Sequence, residues 1–131
     1  MTGEKNLQKL LRTASPVINK GAYVFCTLTE ADAELLNQSV VIVREREGTT
    51  LVLPLEVADK RGIPYEYVAG WITLEVHSSL AAVGLTAAFS AALASREISC
   101  NVVAGFYHDH IFVAQHETEV AAETIRLLAN Q

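Results

Sequence analysis

The chain has 131 residues, 50% of them hydrophobic and 19% charged, with a formal net charge of −5. This length suits one ordinary domain or two very small ones sharing a core, and the composition excludes a disordered chain. Acidic and basic residues are interspersed, so no clustered Lys and Arg face offers a nucleic-acid footprint.

The first residues, MTGEKNLQKLL, lack the apolar core and small-residue cleavage site of a signal peptide. Within them Leu7, Leu10 and Leu11 take helical spacing over residues 4–13, and Pro16 stops any continuation. Gly21 opens AYVFCTL, a β-branched and aromatic run that predicts a strand. TEADAELLNQS has room for a helix of about two turns. VVIVRERE and TTLVL flank Glu47-Gly48 as a hairpin, since glycine accepts positive φ. PLEVADKRG reads as a short helix, with Pro54 in its first turn and Gly62 as its stop.

The same events then recur. YVAGWITLEVH (67–77) predicts a strand, and residues 85–96 the strongest helix, with Leu85, Ala88, Phe89, Ala92 and Leu93 on one stripe. Ser99 to Phe106 and His110 to Gln115 predict strands around a YHD turn. The last segment places Val120, Ala121, Thr124, Ile125 and Leu128 on one helical face. The two hairpins align sixty residues apart, Leu51-Val52-Leu53 over Ile111-Phe112-Val113. Identity between the copies is negligible, so the repeat is one of pattern. Short antiparallel pairs interleaved with helices indicate an α+β fold, with helices on one face of antiparallel sheets.

The longest apolar-leaning stretch, Leu80 to Ala94, is broken by Gly84, Thr86 and Ser90 and is too short for a bilayer core of about 30 Å. Cys26 and Cys100 lie in apolar strand-like runs and read as buried, reduced thiols. A soluble cytoplasmic chain with no membrane and no nucleic-acid partner is the expectation.

The stretch SSLAAVGLTAAFSAALASREISCNVVAGFYHDHIFV resembles an ACT domain, the small-molecule-sensing βαββαβ module of aspartokinase regulatory regions. A strand ends in a small-residue loop, Gly84 stands at the helix entry, Ile98-Ser99 leads into the next strand, and an Asp stands in the turn before Ile-Phe-Val. With REREGTTLV early and NVVAGFYHDHIFV late, the whole chain also resembles small stand-alone ACT-like proteins. The loop keeps the glycine and lacks the carboxylate that many ACT domains carry there. The resemblance implies a ferredoxin-like, ACT-type fold in two degenerate repeats, residues 1–66 and 67–131. It implies a non-catalytic regulatory protein that senses a small molecule, with amino acids as the candidate class, and associates as a homo-oligomer. A partner protein would be regulated in trans. No cofactor is implied.

Candidate sites follow from the residues and from this resemblance. Backbone N–H groups at the start of the 85–96 helix suit a carboxylate or phosphate, which singles out Ser78, Ser79, Gly84, Leu85 and Thr86. The other reading of that loop is tight strand-to-helix packing with Ser79 or Thr86 as a cap. Asn101 is a polar amide in an apolar strand, a ligand contact by resemblance or an amide satisfied by neighbouring backbone. For His108-Asp109-His110 three readings stand: a bare turn shaped by Asp109, a turn lining an organic ligand or subunit contact, and a metal site or acid–base group of an enzyme. Serine nucleophile chemistry fails, because His77 and Ser78 point to opposite faces of a strand and no G-x-S-x-G elbow exists. Arg44 and Arg46 share a strand face, read as a solvated edge or, less simply, an anion-binding pair or subunit contact. A purely structural adaptor without ligand completes the alternatives.

Overall fold

The computed structural model describes residues 6–76 and 84–130. Its elements in order are α1 (Leu7–Thr13), β1 (Ser15–Leu28), α2 (Ala33–Gln38), β2 (Val41–Arg44), β3 (Thr49–Pro54), α3 (Leu55–Arg61), β4 (Val68–Glu75), α4 (Leu85–Ala94), β5 (Asn101–Ala104), β6 (Asp109–Ala114), a 3-10 turn at Gln115–Glu117 and α5 (Thr118–Ala129). They form two compact units, Gly21–Ala69 and Met1–Lys20 with Gly70–Gln131. β1 and β4 each run through a unit boundary, so residues 6–20 pack with the second half of the chain.

In the Gly21–Ala69 unit the strands lie in the order β2-β3-β1, all antiparallel, with Val41 opposite Val52 and Cys26 opposite Leu51. Alternate residues of these strands, Val24, Cys26, Leu51 and Leu53, bury against Leu35 of α2 and Ala58 of α3. α2 starts where the Asp32 side chain accepts from Leu35 N at 2.9 Å. α3 ends at Gly62, φ +65°, with Ile63 N reaching back to Ala58 O at 2.9 Å.

In the other unit the order is β1-β4-β6-β5, and β5 pairs with β6 in antiparallel register. Ile72, Leu74, Ile111 and Val113 face a layer made by α1, α4 and α5. Leu85, Phe89 and Leu93 are the buried stripe of α4. In α5 the buried face is Thr118, Ala121, Ala122, Thr124 and Ile125, whereas Val120 is 44% exposed. The expected face holds at Ala121, Thr124, Ile125 and the partly buried Leu128 and fails only at Val120, which stands one residue, about 100°, from Ala121; Thr118 and Ala122 join the buried side instead.

The sixty-residue repeat is present in the strands themselves. β2 and β5 are offset by sixty, β3 and β6 likewise, and the latter two share one burial pattern. Two features differ from the sequence expectation. β1 begins at Ser15, with Gly21 (φ +104°) inside it rather than at its start. The second hairpin tip is Gly105-Phe106-Tyr107-His108, closed by Gly105 N donating to His108 O at 2.9 Å, so Asp109 opens β6 and pairs with Ala104.

Candidate functional site

The entry to α4 is Gly84, in a left-handed conformation at φ +95°, ψ −14°. Only glycine takes this geometry without strain. Having no side chain, Gly84 also brings no cap of its own to the first N–H groups of the helix. Leu85 turns into the core at 4% exposure and Thr86 is exposed. Ser78 and Ser79 lie outside the described residues, as does His77.

Asn101 is an exposed residue of β5 whose side-chain amide donates to Phe112 O, 3.2 Å away on the paired strand. Asp109 pairs with Ala104 at the other end of this four-residue ladder, roughly 10 Å along the strands from Asn101. The hairpin tip and Asn101 are thus separate places on the molecule. Asn101 stands at the base of the hairpin and His108 at its tip.

The His-Asp-His stretch divides by strand alternation. His110 and Phe112 project to the sheet face opposite the helices, together with Trp71 and Thr73 of β4. The Trp71 indole N–H donates to His110 Nδ1 at 3.1 Å, and Thr73 Oγ1 lies 3.3 Å from the same nitrogen. Asn19 of β1 donates its amide to Thr73 Oγ1 at 2.9 Å and to Trp71 O at 3.3 Å. Thr73, accepting from Asn19, is left to donate toward His110. Two donors on Nδ1 assign the imidazole proton to Nε2. A β-carbon on Gly105 would meet Nε2 at 3.2 Å and His108 O at 2.9 Å, so glycine lets the tip close against this ring.

Burial pushes the His110 pKa down, helped by the neighbouring His108 and opposed by Asp109. Burial likewise pushes the Asp109 carboxyl up, with His110 and His108 acting against it. Burial thus acts against the charged form of each group. His108 keeps Nδ1 buried and without a hydrogen-bond partner among the described residues. Among the described residues no three His, Cys, Asp or Glu side chains converge as metal ligands.

The depressed His110 pKa has a testable sign. The unfolded chain binds the imidazole proton more readily, so this site's contribution to stability is present above about pH 6.5 and is lost as pH falls below it. Asp109 works in the opposite sense, at pH values above its ordinary range near 4. Denaturant melts at pH 7.5 and 5.5 compare the wild type with His110→Asn, which keeps an acceptor but does not titrate. The wild type loses more stability on acidification; equal losses refute the depressed pKa.

Thr73 and Asn19 were not singled out by sequence, and Trp71 reads there only as a core or interface residue. The only local signal was the Trp-x-Thr alternation, which puts both on one strand face. Phe106, which the sequence reads with Phe112 as core or interface, is 70% exposed at the tip, packed edge to face at 5.0 Å on Tyr107, 67% exposed, whereas Phe112 is buried.

Residues 2–70 match one family model described as an ACT domain, and residues 66–126 match a second with the same description. No curated protein matches the chain. Among solved structures, a Vibrio cholerae protein of unknown function, titled a possible transport protein, is 44% identical with a TM-score of 0.85, covering 95% of this chain and 97% of its own. An Agrobacterium tumefaciens protein is 20% identical with a TM-score of 0.67, over 88% and 89% of the two chains. Aspartokinase alpha and beta subunits align at 12% identity and a TM-score of 0.63, over 89% and 98%. At identities this low the last two speak for the fold alone. Among the described residues, no helix is long and apolar enough to cross a membrane.

Proposed function

The chain belongs to the ACT-domain family, and from that premise we propose that it is a regulatory sensor whose second half binds a small carboxylate-bearing metabolite, an amino acid by class. The entry to α4 carries this reading. Gly84 opens a ten-residue helix with no side-chain cap on its first N–H groups, and Ser78 and Ser79, a few residues earlier in the sequence, are the candidate hydroxyl donors. Leu85 supports the site from the core and Thr86 borders it from the surface, while Asn101 opens β5 past the far end of α4, so its exposed amide would join the site from a second copy of the chain. His108 and Asp109 shape the far end of the hairpin and belong to an oligomer contact rather than to the same pocket.

Regulation requires that the metabolite bind two states with different affinity. The Gly21–Ala69 unit and the unit that joins residues 6–20 to the second half each have a small core, and self-association into a homo-oligomer would extend the buried surface of both. The states would then differ in that assembly or in the capture of a cytoplasmic partner protein in trans. The protein acts without catalysis in this reading.

A thermal-shift panel of the twenty amino acids tests it. Ligand at a hundred times its dissociation constant stabilises by about 2.7 kcal/mol, a shift of several degrees at this size. Asn101→Ala and Thr86→Ala, both at exposed positions, should fold normally and lose the response. A panel without any stabilising amino acid, or a response that both variants retain, removes this site.

A further inference from the structure

The two helix layers of the repeat are built differently. In the second half α4 packs along α5 through Phe89, Leu93, Ala121, Ala122 and Ile125, which closes the layer with apolar surface. In the first half the equivalent helix α2 is six residues long against ten in α4, and it hardly meets α3. A cavity of about 330 Å³ opens between them, lined by Glu34, Gln38, Glu56, Val57, Lys60 and Arg61. Sixty residues on from Arg61 stands Ala121, fully buried; the first half has charge where the second has core.

The charges in this cleft are arranged and not merely present. Asp32 caps α2 through Oδ1, accepting from Leu35 N, and holds the Arg61 guanidinium through Oδ2 at 2.5 Å. One residue thus ties the start of α2 to the end of α3 and orients Arg61. The guanidinium carries five N–H donors in a fixed fork, more than this single bond uses. Lys60 adds a second cation beside it, while Glu34 on α2 and Glu56 on α3 bring two carboxylates. The cleft is at the small end of ligand-binding volumes, which suits a compact molecule. Exposed single ion pairs are worth little, so an ion of one sign gains little here; a molecule carrying both charges can engage both pairs at once.

We propose that the cleft between α2 and α3 is a second ligand site, taking a small zwitterion with its carboxylate on Lys60 and Arg61 and its ammonium on Glu34 and Glu56. The Gln38 amide spans the two polarities, and Val57 offers the apolar floor. The shortened α2 is what makes room for it, so the weaker of the two repeats is the one with the open helix face. This site is independent of the α4 entry, and the two stand or fall separately.

Nuclear magnetic resonance of the labelled full chain tests it. Each of the twenty amino acids is added at about 10 mM, ten times a millimolar dissociation constant. At least one should perturb the amides of Glu34, Gln38 and Lys60, and bind about tenfold more weakly to Lys60→Glu and to Glu56→Gln. Both substitutions are at exposed positions and should leave the spectrum folded. Propionate and propylamine, each offering half of the ligand, should also bind about tenfold more weakly than the amino acid. Asn101→Ala should leave these perturbations unchanged, even where it abolishes the response of the α4 entry. Silence of the cleft amides across the panel overturns the site, as does undiminished binding in both charge variants. Propionate binding as well as the amino acid would make the cleft an anion surface and overturn it too.

Discussion

Replacing Phe89 by alanine lowers the unfolding free energy by about 3–5 kcal/mol. Phe89 is fully buried in α4, between the sheet residues Ile72, Leu74 and Ile111 and the α5 residues Ala121 and Ile125, all in one cluster. Truncation removes the transfer energy of the ring and leaves a cavity that small alanine neighbours cannot fill by repacking. Native domains are stable by only about 5–15 kcal/mol, so the loss is a large share of the total. Urea unfolding followed by the fluorescence of Trp71, the one tryptophan in the chain, reads it directly. Leu127→Ala on the exposed side of α5, where the side chain is 52% exposed, should change stability by less than about 0.5 kcal/mol. A Phe89→Ala loss below about 1 kcal/mol would mean that α4 does not cover the sheet through this ring.

Gly70→Ala is the second large effect, from the opposite cause. A β-carbon there would lie 1.8 Å from Thr118 Oγ1, 2.9 Å from Thr118 Cβ and 3.0 Å from Thr118 Cγ2. No rotamer of an alanine can avoid this, so β4 or the first turn of α5 must move, at a cost of about 3 kcal/mol. Thr118 is itself tied, its hydroxyl donating to Gln115 O at 2.8 Å. Thr118→Ala alone should cost about 1 kcal/mol through that hydrogen bond. In the double variant the overlaps with Oγ1 and Cγ2 disappear, while the close β-carbon remains. The pair should therefore be more stable than the sum of the single losses by more than about 1 kcal/mol. Strict additivity would place Gly70 and Thr118 apart.

Much of this fold was readable along the chain. Gly62 after a helical run, Asp32 ahead of one, and the two apolar runs around Glu47-Gly48 each carry a local cause, and each element lies where that cause put it. The sixty-residue repeat was legible because the apolar runs Leu51-Val52-Leu53 and Ile111-Phe112-Val113 hold the same place in both hairpins. The misread places also have local reasons. Gly21 and Pro16 suggested a boundary, yet Gly21 is accommodated inside β1 at positive φ, and residues 15–20 form its first part. Val120 lies beside the buried stripe of α5, and hydrophobicity alone cannot separate a residue on the stripe from one beside it. Asp109 looked like turn chemistry, but the backbone bond from Gly105 to His108 closes the tip before it.

The candidate sites divide the same way. Gly84 was legible, since a glycine between a small-residue loop and an amphipathic helix has few other roles. The partners of His110 were not: Trp71 is 39 residues away, and Asn19, which bonds Thr73 behind it, lies on a strand the sequence only half showed. The cleft of the first half was hidden for a related reason. Its residues, taken singly, are an ordinary charged helix surface, and only the shortness of α2 beside α3 leaves them lining one cleft.

By itself the sequence determined which segments are helix and strand, that they recur in two copies, and which side chains had to be buried, because hydrophobic period and turn chemistry act over a few residues. The tertiary structure alone decided which nitrogen of His110 accepts, which glycine has no room for a methyl group, and where charges meet across a gap. Those depend on atoms far apart in sequence, brought to within a few ångströms by packing that no local pattern encodes.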